Sequence, residues 1–246
     1  MIDILKEADH KKKSRGCRKS KLCIEDQLLM TLEYLREYRT YFHISQSYGL
    51  SWKHYLLHHK MGWGNSHETS RFCLTRQKSL AKKRYGVRNY HDRCNWKSMR
   101  ETKKKQRKHY SGKKKRHTIK TQIVVDKSKN TVICTSFSNG KKHDFRLFKE
   151  SKTHINPSIK VLADTGYQGI QKIHKNSILP KKRKRNVELT REEKLKNQEI
   201  ARDRVANENV IGFLKRFKII SDKYRNRRKR FGLRFNLIAG ICNLEF

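Results

Sequence analysis

Apolar positions Leu28, Leu29, Leu32, Leu35 and Tyr38 recur at three- and four-residue steps, so residues 26–50 read as helical. The run Tyr41-Phe42-His43-Ile44-Ser45-Gln46-Ser47-Tyr48-Gly49-Leu50-Ser51 then reads as a short helix, a glycine turn and a serine N-cap. That layout predicts a helix-turn-helix-like segment over 26–60, whose next helix would enter a major groove. A plain helical hairpin has the same spacing. From 52 to 102 neither the helical nor the alternating period persists, and 61–102 is expected to be irregular. Order returns after Lys103. Thr118–Asp126 and Thr131–Phe137 are rich in β-branched residues and flank a turn at Lys127–Asn130, which predicts a β-hairpin. His143-Asp144 opens a short helix, and Ile159–Ala163 is the next strand. Thr190 and Glu193 form a capping box that opens a long helix to about Phe217. Phe231, Phe235, Ile238 and Cys242 mark a last, apolar helix. Residues 1–25 are basic and polar and read as a mobile arm.

Composition adds a partner to this outline. Lys and Arg number 62 against 22 Asp and Glu in 246 residues, a net charge of +40. So large an excess points to a polyanion, bound through phosphates with release of counterions. The basic runs Lys103–Arg116 (with Lys113, Lys114, Lys115 and Arg116), Lys181–Arg185 and Arg225–Arg230 (with Arg225, Arg227 and Arg228) are the candidate phosphate contacts. No apolar run approaches the roughly 20 residues that span a bilayer. Met1–Lys13 is charged throughout, unlike a signal peptide, so membrane partners are set aside. The six cysteines are scattered without zinc spacing, and Cys134 and Cys242 sit in apolar contexts. A reducing, cytoplasmic and nucleoid-associated location is expected.

Candidate chemistry begins at Val161-Leu162-Ala163-Asp164-Thr165-Gly166-Tyr167-Gln168-Gly169. A buried strand ending in a carboxylate, followed by a tight glycine turn, is well placed to hold a metal ion. On the long helix Ala201, Val205, Glu208, Gly212 and Lys215 share one face. A carboxylate on that small, apolar stripe requires compensation if it is buried. Glu208 paired on the surface with Lys or Arg is the ordinary alternative. Lys215, two turns on, is placed to reach a phosphate.

These motifs, with Arg204-Val205-Ala206-Asn207-Glu208-Asn209-Val210-Ile211-Gly212 and the Arg-rich tail, resemble the DDE transposases of bacterial insertion sequences. The resemblance runs through 103–246 and again through about 20–51. It implies an α/β, RNase H-like mixed sheet with flanking helices over 103–246, preceded by the small helical segment. It implies that Asp164 is the second catalytic aspartate, Glu208 the catalytic glutamate and Lys215 a DNA contact, while Asp144 caps its helix. Two Mg²⁺ or Mn²⁺ ions would then activate water or a 3′-hydroxyl and stabilise the leaving oxygen. The implied partners are double-stranded DNA, at element ends and targets, and a second copy of the chain on that DNA.

The first aspartate of the family ends an apolar strand just before the hairpin. Here that place reads Arg88-Asn89-Tyr90-His91-Asp92-Arg93-Cys94-Asn95, and Asp92 is the nearby candidate ligand. A central strand is ordinarily apolar on both faces, so this sequence predicts a sheet lacking a properly formed first strand. Read one nucleotide forward, Asn89 through Asp92 become Ile, Thr or Met. Arg93-Cys94-Asn95-Trp96 then permits Asp, next Ala or Val, next Thr or Ile. A frameshift across 52–102, returning at Lys103-Lys104-Lys105, accounts for both the missing strand and the missing recognition helix. Three functions compete: a transposase, this copy of it inactive; a non-catalytic DNA-binding remnant or regulator of transposition; and an RNA-binding or ribosomal protein. The last accounts for the charge but for neither Asp164 nor Glu208.

Overall fold

The hairpin predicted at 118–137 is the centre of the molecule. The structure is a computed structural model that describes residues 2–14, 16, 20–51, 53, 90–98, 109–112, 115–183, 187–226 and 228–245, with only the backbone of 90–98. Strands β1 (Tyr90–Ser98), β2 (Tyr110–Ser111), β3 (Arg116–Asp126), β4 (Thr131–Asn139), β5 (Val161–Ala163) and β6 (Ser177–Ile178) form one mixed sheet. β3 pairs antiparallel with β4 and with β1, and β2 extends its start. β1 pairs parallel with β5, and β5 with β6. Opposite Val124/Val125 the hairpin carries a bulge, where Ile133 is the extra residue between Val132 and Cys134. Ile133 and Cys134 consequently serve the same core.

Alternation along β3 feeds two cores, one on each face. Ile119, Ile123 and Val125 pack on one side with helices α2 (Ile24–Glu37), α3 (Tyr41–Ser47), α5 (Arg191–Lys215), α6 (Lys218–Ser221) and α7 (Phe231–Cys242). Val124 packs on the other side with Val161, Ala163, Tyr167, Ile170 and Phe148, the last from α4 (Asp144–Ser151). The capping box at α5 is complete: the Thr190 hydroxyl accepts from the Glu193 N–H, and the Glu193 carboxylate accepts from the Thr190 N–H. No helix among the described residues is long and apolar enough to cross a membrane. Burial of Cys242 in the helical core pushes its thiol up to about 12, and Cys134 is buried as well.

Three expectations need correction. Residues 2–13, read as a mobile arm, form helix α1 (Ile2–Lys13), with Lys11–Glu7 and Lys13–Asp9 pairs at i,i+4 spacing. Within the segment read as irregular, 90–98 is a strand between β3 and β5. The reason is that ladder bonds join backbone to backbone; a gap between two strand edges with unpaired N–H and C=O groups accepts a polar sequence as readily as an apolar one. The rest of 52–102, including any helix that Ser51 would cap, lies outside the described residues. Finally, the helical segment does not stand apart, because Met30, Leu35 and Ile44 share one core with Phe235 and Ile238.

Candidate active site

Asp164 follows directly on β5, at the N-cap of a 3₁₀ turn (Thr165–Tyr167), where its Oδ1 accepts the Thr165 N–H at 2.7 Å. The fully buried Tyr167 anchors this turn, its ring edge-on to Phe148 at 6.3 Å. Gly169 has φ +93°, a left-handed conformation that L side chains resist. Gly166 closely approaches another element: a Cβ there would stand 2.7 Å from Oδ2 of Asp144 and displace that carboxylate.

Asp144 thereby joins the site as a support. It occupies the first turn of α4, but the N-cap is His143 and no side chain caps that helix, so the capping role expected for Asp144 is not its role. Its Oδ1 lies 2.5 Å from Nζ of Lys120, a lysine of β3 only 3 % exposed. The same ammonium also donates to the carbonyl of Lys142, so it bridges that backbone oxygen and the Asp144 carboxylate. β3, α4 and the turn after Asp164 are therefore pinned together by one buried cation and one carboxylate. A lysine set among β-branched strand residues was the available signal for this pairing.

Helix α5 meets the strand end through Arg204, whose Nη2 lies 3.2 Å from Asp164 Oδ2. Asp203, beside it, accepts from Lys127 of the hairpin turn at 2.6 Å. Glu208 stands one turn beyond Arg204 on the same side of α5. The stripe Ala201, Val205, Glu208, Gly212 and Lys215 follows the surface alternative: all five are exposed, Val205 by 50 %. Asn207, Val210, Ile211 and Leu214 form the buried face instead, because they offer the sheet more continuous apolar surface. Among the described residues no three His, Cys, Asp or Glu side chains gather as a metal-holding group. Asp164 and, one turn beyond Arg204, Glu208 are the described carboxylates at this end of the sheet that could hold a divalent ion, and Arg204 pairs with Asp164.

The candidate phosphate contacts fall into three groups. Lys215, Lys115 and Arg116 are exposed. Arg225 and Arg228 are engaged within the protein: Arg225 lies 4.3 Å over the Tyr38 ring and its N–H donates to Tyr38 Oη at 2.7 Å, while Arg228 contacts His109. Lys113, Lys114 and Arg227 lie outside the described residues. Asn226 donates to Tyr34 Oη at 2.6 Å, and Lys218 pairs with Glu37 at 2.5 Å, so the basic tail is bonded to α2 along its length. Burial holds the Tyr34 hydroxyl well above the usual phenol range, and that of Tyr224 up to about 12.

The sequence from the first aligned strand to the last helix, residues 93–243, matches the family described as DDE superfamily endonuclease. Residues 20–55 match the helix-turn-helix of DDE superfamily endonuclease. The chain belongs to the DDE transposases of insertion sequences. A "Probable transposase for insertion sequence element IS702" from Microchaete diplosiphon is 44 % identical over 246 residues, all of this chain and 88 % of that protein. No solved structure matches. For a transposase chain, the helix-turn-helix at 20–55 covers α2, α3 and the Gly49 turn, so the helical period and that turn were read correctly from sequence.

Proposed function

We propose that this chain binds duplex DNA at insertion-sequence ends and targets, on an RNase H-like sheet whose family chemistry is metal-dependent cleavage and strand transfer. The strand order β4-β3-β1-β5-β6, with β1 parallel to β5, supports that fold. Asp164 at the end of β5 and Glu208 on α5 are the residues of that chemistry here. When bound, the divalent ions would supply an activated oxygen nucleophile and a stabilised leaving oxygen. The observation that carries the reading is the 3.2 Å Arg204–Asp164 contact, which joins the part of α5 holding Glu208 to the end of β5 and supports a shared site there. It also bears on activity. Asp164 pairs with a guanidinium, and on our reading this copy binds DNA in the cytoplasm without cutting it. A DNA-binding regulator of transposition is the second reading, favoured by the charged sequence of β1.

Binding of element-end duplex DNA across a salt series, followed by incubation with Mg²⁺ or Mn²⁺, tests both. Affinity should fall with a log–log slope of about −0.9 per phosphate contacted, and strands should stay intact. A flat salt response would remove the electrostatic basis of binding. Cutting and joining at a normal rate would show the site complete as written, with Asp92 as the third ligand. Tighter binding to structured RNA would select the RNA-binding class.

A further inference from the structure

The helix-turn-helix is a neutral segment in a strongly basic chain. Over the matched residues 20–55 four Lys and Arg stand against four Asp and Glu, a net charge of zero where the whole chain carries +40. Attraction to phosphates supplies essentially all of the non-specific grip of a protein on duplex DNA. A neutral reading segment therefore needs cations from a neighbouring element. α1 lies against α2, but its Lys6, Lys11 and Lys13 are each paired with a carboxylate, those of Glu25, Glu7 and Asp9.

The other basic neighbour is the loop Lys223–Arg230, where six of eight residues are Lys or Arg and none is acidic. It is held against α2 and the start of α3. The Arg225 N–H donates to Tyr38 Oη at 2.7 Å, and the Arg225 guanidinium lies 4.3 Å over the Tyr38 ring. Asn226 donates to Tyr34 Oη at 2.6 Å and accepts from Tyr41 Oη at 3.5 Å. Tyr224 and Phe231 close the loop from inside, their rings edge-on with centroids 5.0 Å apart. Arg234 ties it to α7 by donating to Tyr224 Oη at 2.6 Å. Lys223 and Arg230, each the residue before one of those two rings, are exposed, and among the described residues neither pairs with a carboxylate.

We propose that this C-terminal loop is the phosphate-binding wall of the helix-turn-helix. Lys223 and Arg230 contact phosphates beside the groove that the helix-turn-helix reads, and Arg225 and Asn226 are positioning residues that hold the loop there. The proposal deepens the DNA-binding reading above and rests on it. Phosphate contacts carry no sequence information but fix register and orientation. A wall bonded both to α2 and to α7 therefore sets how a bound duplex lies against the body that carries Asp164.

The test is binding of the full chain to a duplex of its own element end across a salt series. Ethylation interference reports the phosphates, and methylation interference reports guanine N7 in the major groove. Lys223→Gln with Arg230→Gln is expected to lower the log–log salt slope by about 1.8, from about 0.9 per contact. The same variant should lose interference at phosphates within about one helical turn of the affected guanines. Lys149→Gln with Lys172→Gln removes equal charge beside Phe148 and Ile170, in the core on the other face of the sheet, and should leave those phosphates unchanged. An unchanged slope in the first variant, lost phosphates farther than a turn away, or the same loss in the second variant would overturn the assignment. Asn226→Leu keeps every cation and frees the loop from Tyr34. Its slope on an unrelated duplex should hold while interference at the flanking phosphates fades; an unaltered pattern would remove the positioning role. If Asn226→Leu does not fold, Tyr34→Phe breaks the same bond. A flat salt response of the parent chain would sink the DNA-binding reading itself, whereas a steep parent slope unmoved by the first variant would sink the loop alone.

Discussion

Strands β1 and β5 are neighbours in one sheet, paired in parallel, and they differ in every other respect. β5 is Val161-Leu162-Ala163, buried throughout, and it delivers Asp164 into a turn held by Tyr167, Gly166 and Gly169. β1 is Tyr90-His91-Asp92-Arg93-Cys94-Asn95-Trp96-Lys97-Ser98, and its ladders are as regular as those of any strand in the sheet. The lesson is that backbone pairing and side-chain chemistry are separate requirements. Backbone pairing alone can hold a charged and polar sequence in the middle of a sheet.

The contrast is broken most severely at the anchored corner. Tyr167→Ala removes a fully buried ring beside Phe148, and the expected loss is about 3–5 kcal/mol in urea unfolding. A loss under about 1 kcal/mol would mean that the turn after Asp164 is not held by packing. The Lys120–Asp144 pair should respond asymmetrically. Asp144→Ala leaves a buried ammonium without its carboxylate and should cost about 2–3 kcal/mol, below the full range for buried pairs because Asp144 is a quarter exposed. Lys120→Met removes the charge along with its need for a partner and should cost under about 1.5 kcal/mol. Equal losses in the two variants would show that the pair contributes as ordinary packing. The smallest effect belongs to β1 and has the opposite sign. Position 91 is paired with Val125 and Leu162, both buried, so His91→Val should stabilise the chain by up to about 1 kcal/mol. No gain in thermal midpoint would place β1 among the sequences its register already suits.

Local features of the fold were legible because they are written in local sequence. The hairpin follows from β-branched runs around Lys127–Asn130, α5 from its capping box, and α7 from the spacing of its aromatic and aliphatic residues. Asp164 was legible for the same reason, as a strand end and a glycine turn within nine residues. What escaped depends on residues far apart in sequence. Lys120 meets Asp144, and Arg204 meets Asp164, only once the sheet has formed. The exposed stripe of α5 stayed undecided because its own pattern is weak, and the competing face of Asn207, Val210, Ile211 and Leu214 is chosen by the sheet beneath it. β1 escaped because its partners, not its composition, make it a strand.

The bonds between α2 and the basic tail set an order of assembly. Tyr34 and Tyr38 precede the sheet in the chain, yet their hydroxyls are satisfied by Asn226 and Arg225, which follow it. Those contacts span 187 to 192 residues of chain, the separation that slows folding most. A chain stopped before Tyr224 lacks both partners and α7, and with them seven buried residues of the core that α2 and α3 share: Tyr224, Phe231, Phe235, Leu237, Ile238, Ala239 and Cys242. The helices of the helix-turn-helix are thus completed by residues far along the chain, so a chain stopped before Tyr224 should lose the packing of α2 and α3 together with α7.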